Sequence, residues 1–163
     1  HTNKSYQRGN DPAKIFGFNY RMTEIQGVIG KIQLMKLNKI IIENKKRYSI
    51  LYKNLSKIFR VREIPTNSKS TYEAFIFTEK NPKIRKKIIK VLTKSKFGTK
   101  NLPDAIQWHC SYFWGRGLEK KQILNSKKGR NILNMNIAIP IMLKKNLKEY
   151  KKLAKNIYKI KNN

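Results

Sequence analysis

The sequence predicts an α+β domain, and three observations support this prediction. A long helical pattern begins near residue 23, two short segments alternate like β-strands, and helical patterns with one apolar face lie after each of them. At 163 residues, the chain is long enough for one domain with its own core. We therefore expect one long N-terminal helix followed by a small sheet covered by helices.

The first helix is predicted from its cap and its periodicity. Residues 1–21 are rich in turn-forming residues and are expected to form a loop. Thr23 and Gln26 then have the spacing of a capping box, in which each side chain bonds the other residue's backbone amide. The apolar residues that recur at helical spacing are Ile25, Val28, Ile29, Ile32 and Met35. We expect this helix to run, with a bend, to about Leu55.

Two glycines lie in the first turns of this helix, at Gly27 and Gly30. Each costs up to ~1 kcal/mol relative to alanine in a helix interior. We therefore expect another surface to approach this face closely, although ordinary helix packing would also explain the two glycines.

The later elements follow from shorter patterns. Residues 71–78 alternate and are rich in aromatic and β-branched residues, which predicts a strand. After the Asn81-Pro82 break, a basic helix is expected to end near Ser95. Residues 136–141 predict a second strand, and apolar spacing from Leu147 to Ile157 predicts the last helix. Between them, residues 97–118 combine helix breakers with aromatic residues and form either a buried loop or a site.

The charge is strongly positive, with 38 Lys and Arg against 9 Asp and Glu and a net charge of +29. Such a charge makes nucleic acids, acidic membrane surfaces and phosphorylated substrates candidate partners. However, lysines occur on nearly every predicted element without one basic stripe, and their abundance with Asn and Ile is typical of an AT-rich genome. We therefore do not expect nucleic acid as the partner. The alternative of a different class is a small nucleic-acid-binding protein that stacks bases on Tyr112, Phe113 or Trp114.

Other classes are excluded by composition. The single cysteine, Cys110, excludes an internal disulfide and a multi-cysteine zinc site, and no further metal ligands stand near it at metal spacing, so no metal is expected. No apolar run approaches the ~20 residues of a membrane span. We expect a cytoplasmic protein, and because the chain begins with His1 we expect it to be part of a longer one.

Residues 17–37, GFNYRMTEIQGVIGKIQLMKL, carry a specific motif. The segment resembles the GxNxRM(T/S)E(I/L)Q sequence of the DegT/DnrJ/EryC1/StrS aminotransferases, which depend on pyridoxal 5'-phosphate (PLP). The matching positions are Gly17, Asn19, Arg21, Met22, Glu24, Gln26, Gly30, Gln33 and Leu37.

The resemblance implies the small domain of a fold-type I PLP enzyme. The motif opens the helix that leads out of the large domain, so residues 1–21 would be a loop from that domain and residues 22–163 the C-terminal small domain. The resemblance also implies that Asn19 reaches across a homodimer to the PLP phosphate of the partner subunit, since an amide offers two neutral donors. Arg21 would bind a substrate carboxylate or phosphate, or form a structural ion pair with an acid such as Glu24.

A narrower resemblance covers residues 98–105 (GTKNLPDA) with the aromatic residues that follow. It is similar to the aminotransferases that make 8-amino-3,8-dideoxy-octulosonate, a lipopolysaccharide sugar acid. Trp108 and Trp114 would then stack on the sugar ring, and His109 would bond a hydroxyl or carboxylate. The alternative is a loop packed in the small-domain core.

The resemblance implies an enzyme that transfers an amino group, usually from glutamate, to a keto-sugar for cell-surface polysaccharide or lipopolysaccharide synthesis. In the family, the lysine that holds PLP precedes the motif. We therefore expect no catalytic residue among residues 1–163 and no activity of this part alone, with the active site lying at the interface of a homodimer. Some family members carry histidine in place of that lysine and dehydrate the sugar, so a dehydratase is the alternative within the family.

Overall fold

The computed structural model describes residues 22–97, 111–113 and 118–162. By compactness the chain divides into two units, residues 1–36 and residues 37–163. In the first unit, the described residues form the beginning of the first helix. The second unit holds a sheet and the helices around it. The domain boundary predicted between residues 21 and 22 stays a prediction.

The elements follow one another in a mixed order. The helices are α1 (Glu24–Leu55), α2 (Pro82–Lys94), α3 (Lys120–Asn125), α4 (Lys127–Met135) and α5 (Leu147–Asn162). The strands are β1 (Arg60–Val61), β2 (Ala74–Thr78) and β3 (Asn136–Pro140), and a 3-10 turn spans Ser111–Phe113. The described residues therefore form an α+β arrangement, as the sequence predicts.

The sheet of the second unit is antiparallel in the order β1-β2-β3. Phe75 stands opposite Ile139 and Phe77 opposite Ile137, and all four are fully buried. Cross-strand pairs of aromatic and β-branched side chains are a main source of sheet stability. Strand β3 is buried from Ile137 onward, so it lies within the core.

Helices α1, α2 and α5 supply the rest of this core. Leu51 and Leu55 come from the last turns of α1, and Ile88 and Leu92 come from α2. The α5 residues Tyr150, Leu153, Ala154 and Ile157 lie at the spacing of one helical face and are all buried. The core thus contains one side of each helix, and the lysines of these helices remain outside it.

Arg47 fixes α1 to the loop that precedes α5. Its guanidinium donates to the carbonyl oxygens of Lys145 at 3.0 Å and Leu143 at 3.3 Å. It also donates to the carbonyl and carboxylate oxygens of Glu43, one turn earlier in α1. The residue is only 7% exposed, so these bonds satisfy a charge that is largely removed from water. The C-terminal half of α1 is therefore attached at a defined position.

Asn81 begins helix α2 by local chemistry alone. Its side-chain oxygen accepts hydrogen bonds from the amides of Lys83 at 2.9 Å and Ile84 at 3.4 Å, and Pro82 occupies the first helical turn. This break and the helix that follows it agree with the prediction from sequence. In the parts of the chain that the structure describes, no helix is long and apolar enough to cross a membrane.

The predicted elements are confirmed with small changes at their ends. The first helix ends at Leu55, and the last one extends to Asn162 rather than Ile157. The first predicted strand is shorter than expected, since its regular part begins at Ala74. Three elements were not predicted: β1, α3 and α4.

Candidate functional site at the start of helix α1

The start of α1 is fixed by a reciprocal cap. The Thr23 amide donates to Oε1 of Gln26 at 2.9 Å, and the Gln26 amide donates to Oγ1 of Thr23 at 3.3 Å. This is the capping box that the sequence predicts, and it satisfies two amides that would otherwise lack helical partners. The cap sets where the regular helix begins, directly after the GxNxRM part of the motif.

Glu24 lies in the first turn of this helix. A carboxylate there meets the positive end of the helix dipole, which stabilises the start further. Two sequence features of the motif, the cap pair and the acid, therefore act on the local structure. Both stabilise the first turn of α1.

The first half of α1 exposes an unusual amount of apolar side chain. Its exposed apolar residues, with their exposed fractions, are Ile25 73%, Val28 60%, Ile29 55%, Ile32 45%, Leu34 70%, Met35 78% and Leu37 40%, and Met22 just before the helix is 76% exposed. At 100° per residue, Ile25, Val28, Ile29, Ile32 and Met35 lie within an arc of about 120°, whereas Leu34 lies on the opposite side. An apolar face of this width is normally buried against another element. The apolar face predicted from periodicity thus exists, but no described residue of this chain covers it.

Gly27 and Gly30 border a shallow apolar hollow in this unit. Met22, Lys31, Leu34 and Met35 form the rest of its wall. A methyl group added at either glycine would meet no described atom within 4 Å. The close approach predicted at these glycines is therefore not made by the described residues.

The residues predicted to bind cofactor or substrate lie outside the described residues. They are Asn19, Arg21, Trp108, His109 and Trp114. Their assignments remain predictions. The neighbouring residue Tyr112 is described and is half-buried. The centre of its ring lies 4.5 Å from the guanidinium carbon of Arg130 in α4. This contact between Arg130 and Tyr112 was not predicted from the sequence.

A groove of about 630 Å³ beside strand β2 holds both an acid and lysines, including Glu79 and Lys161. The Lys161 ammonium lies 2.7 Å from the Glu79 carboxylate, so this lysine is committed to an ion pair. A lysine held in this way is not free to reach a cofactor in the groove. No described group of three or more His, Cys, Asp or Glu side chains is placed to hold a metal ion either.

The comparison with protein families gives the class of protein that the motif and the fold define. The chain matches the DegT/DnrJ/EryC1/StrS aminotransferase family over residues 1–157. It therefore belongs to that family, and membership implies a PLP-dependent enzyme of fold type I, a sugar aminotransferase or a related enzyme. The match is to the family as a whole and gives no support to the octulosonate subgroup. A search of curated proteins found no match to the chain.

Proposed function

We propose that this chain is the C-terminal part of a PLP-dependent sugar aminotransferase that acts as a homodimer. The parent enzyme would move an amino group from glutamate to a keto-sugar, for use in cell-surface polysaccharide or lipopolysaccharide. PLP, when bound, supplies the electron sink for amino transfer. The chain's own residues would supply one phosphate contact, part of the sugar pocket and part of the subunit interface.

The observation that carries this proposal is the capped helix start beside an uncovered apolar surface. The cap between Thr23 and Gln26 defines the start of the helix that directly follows the GxNxRM part of the motif in the sequence. Asn19 needs a defined start of this kind, because a hydrogen bond to a phosphate in another subunit depends on the position of the whole segment. The uncovered residues around Gly30 offer the apolar area that the large domain and the second subunit would bury.

Arg21, Trp108, His109 and Trp114 are proposed to contact the sugar and its acidic group. Aromatic planes suit the apolar face of a sugar ring, and Arg21 suits a carboxylate or phosphate because its guanidinium binds both oxygens at once. The contact between Tyr112 and Arg130 gives the segment 111–113 an attachment to α4. The octulosonate sugar acid is the substrate that the residues in 98–114 favour in this proposal.

The test is to express the complete open reading frame that encodes this chain, titrate it with PLP and record absorbance before and after adding glutamate. We expect an internal-aldimine band that converts to the pyridoxamine form. A protein that binds PLP but does not respond to any amino donor would indicate the dehydratase instead. A protein that never binds PLP would overturn the proposal.

Asn19→Ala in the same full-length protein tests the residue assignment. Loss of a hydrogen bond to a charged group corresponds to about 1.5–3 kcal/mol, so PLP should bind about 10- to 100-fold more weakly. The matched control is Asn38→Ala, at an exposed position of helix α1, which should leave the affinity unchanged. Equal affinities of the two variants would show that Asn19 does not hold the phosphate.

A further inference from the structure

Helix α5 and the end of α1, with the turn that follows α1, form a basic groove in the second unit. Lysines line both walls, with Lys53 and Lys57 on one side and Lys151 and Lys155 on the other. Tyr158 also lines the groove and is 47% exposed. Lys151 and Lys155 lie one turn apart on α5, a spacing at which like charges repel. The groove therefore concentrates positive charge around an accessible aromatic ring.

A second groove adjoins the first, because Lys53 lines both of them. Three tyrosine rings follow one another in this second groove. The Tyr48 ring lies 6.2 Å from Tyr52 in a stacked geometry and 5.2 Å from Tyr72 in an edge geometry. Tyr52 is 51% exposed, whereas Tyr48 is 9% exposed and belongs to the core, so Tyr52 is the accessible ring of this row. The cations along this groove are Lys45, Lys53, Arg60 and Arg62, and Glu63 is its one acid.

The charges of these grooves are not neutralised within the described parts of the chain. The described ion pairs join Glu43 to Lys46 and Arg47, Glu149 to Lys145, and Glu79 to Lys161. None of these cations lines the groove between α1 and α5. The groove lysines therefore remain available to an anionic partner.

We propose that the two adjoining grooves bind a single-stranded nucleic acid, an activity separate from amino transfer. A single strand needs a cationic channel for its phosphates and aromatic faces for its bases, and the grooves combine both. A duplex keeps its bases stacked on one another and a membrane surface has no bases, so neither would stack bases on the tyrosine rings. The sequence does not predict this groove, because the lysines on its two sides, such as Lys53 and Lys151, lie about a hundred residues apart in the chain.

The test is fluorescence anisotropy of the full chain with a labelled oligo(dT) of about 20 nucleotides, measured over roughly 50 to 200 mM salt. We compare two variants with the same change in net charge. The groove variant replaces Lys53, Lys57, Lys151 and Lys155 with Gln. The control variant replaces Lys86, Lys87, Lys90 and Lys94 with Gln, which are exposed on α2 and line neither groove.

Each phosphate contact on a single strand contributes about 0.7 to the slope of log affinity against log salt. The magnitude of that slope should therefore be smaller by about 3 for the groove variant and by less than about 1 for the control variant. Equal losses in both variants would show that binding follows net charge alone and would overturn the proposal. Absence of binding by the unmodified chain would overturn it as well.

The tyrosines provide a second readout that charge does not affect. Tyr158→Ala and Tyr52→Ala should each weaken oligonucleotide binding by roughly 5- to 100-fold, the range expected for loss of one base stack. Tyr158→Phe should retain most of the affinity, because the ring remains. Equal affinities of Tyr158→Ala and Tyr158→Phe for the oligonucleotide would show that the nucleic-acid assignment is wrong. The assignment would also be wrong if the groove variant lost binding to phosphatidylserine vesicles but not to the oligonucleotide.

Discussion

The ammonium of Lys161 in the last turn of α5 lies 2.7 Å from the carboxylate of Glu79, just beyond strand β2. Glu79 is only 3% exposed, and its other oxygen accepts the Asn81 amide at 2.8 Å. The same ammonium lies 5.3 Å from the centre of the Phe59 ring. This pair therefore joins the end of the last helix to the sheet across 82 residues of sequence.

Lys161→Met should destabilise the second unit, because it leaves the Glu79 carboxylate buried without its cation. Breaking a fully buried pair costs about 3–5 kcal/mol, and the partial exposure of Lys161 lowers the expected value to about 2 kcal/mol. Thermal denaturation should show a fall of about 4–8 °C in Tm. Lys159→Met, at an exposed position of the same turn, is the control and should change Tm little.

The double variant Glu79→Gln with Lys161→Met separates the two contributions. It removes the buried charge together with its partner, so it should recover part of the stability that Lys161→Met loses. Equal stability of Lys161→Met and Lys159→Met would mean that the pair contributes nothing measurable.

Tyr150→Phe should destabilise the protein by about 1–2 kcal/mol although it removes one oxygen atom. The Tyr150 hydroxyl accepts the Met142 amide at 2.8 Å and donates to the Pro140 carbonyl at 3.2 Å, and the side chain is fully buried. The variant keeps the edge contact with the Phe97 ring but leaves the Met142 amide unsatisfied. Urea denaturation is the measurement, with Tyr158→Phe as the exposed control. Identical midpoints for the two variants would contradict this account.

The sequence predicted those parts of the fold that local chemistry determines. Asn81 and Pro82 start a helix wherever they stand before a helical pattern, and the alternation around Phe75 and Phe77 defines a half-buried strand. Strand β1 has two residues and therefore no pattern of its own, so it depends entirely on pairing with β2. Elements of that kind are decided by tertiary contacts.

The candidate site at the start of α1 could also be predicted only in part. Periodicity from Ile25 to Met35 predicted a helix and an apolar face, and both are present. It could not indicate what covers that face, because the covering surface is not encoded in the helix itself. The basic grooves were missed because Lys53 and Lys155 belong to distant helices and meet only in the folded chain.

Stability should fall in acid partly through Glu149. A hydrogen bond from the Lys145 side chain, followed by one from the Asn146 amide, lowers the pKa of Glu149 below its ordinary value of 4.5. A carboxyl whose pKa is lowered by folding contributes stability above its unfolded pKa and loses it as the pH falls through the folded pKa. The Tm difference between the natural protein and Glu149→Gln should therefore be largest near neutral pH and should vanish once the pH has fallen below the lowered pKa of Glu149. Lys145→Gln should reduce the same difference, whereas a difference that stays constant with pH would exclude this origin.

Gly30→Ala should have opposite effects on the helix and on assembly. The added methyl meets no described atom within 4 Å, and alanine favours a helix by about 1 kcal/mol over glycine, so the thermal stability of the chain should rise slightly. If the large domain or the second subunit packs closely on this hollow, the added methyl must displace that surface, and sedimentation of the full-length protein should show a weaker dimer.

Gly129→Ala is the matched control, since Gly129 is also helical and its added methyl likewise meets nothing described within 4 Å. It should stabilise its helix similarly and leave the dimer intact. A Gly30→Ala protein that is both more stable and equally dimeric would show that no surface approaches these glycines, which would remove the explanation for their presence in the first turns of α1.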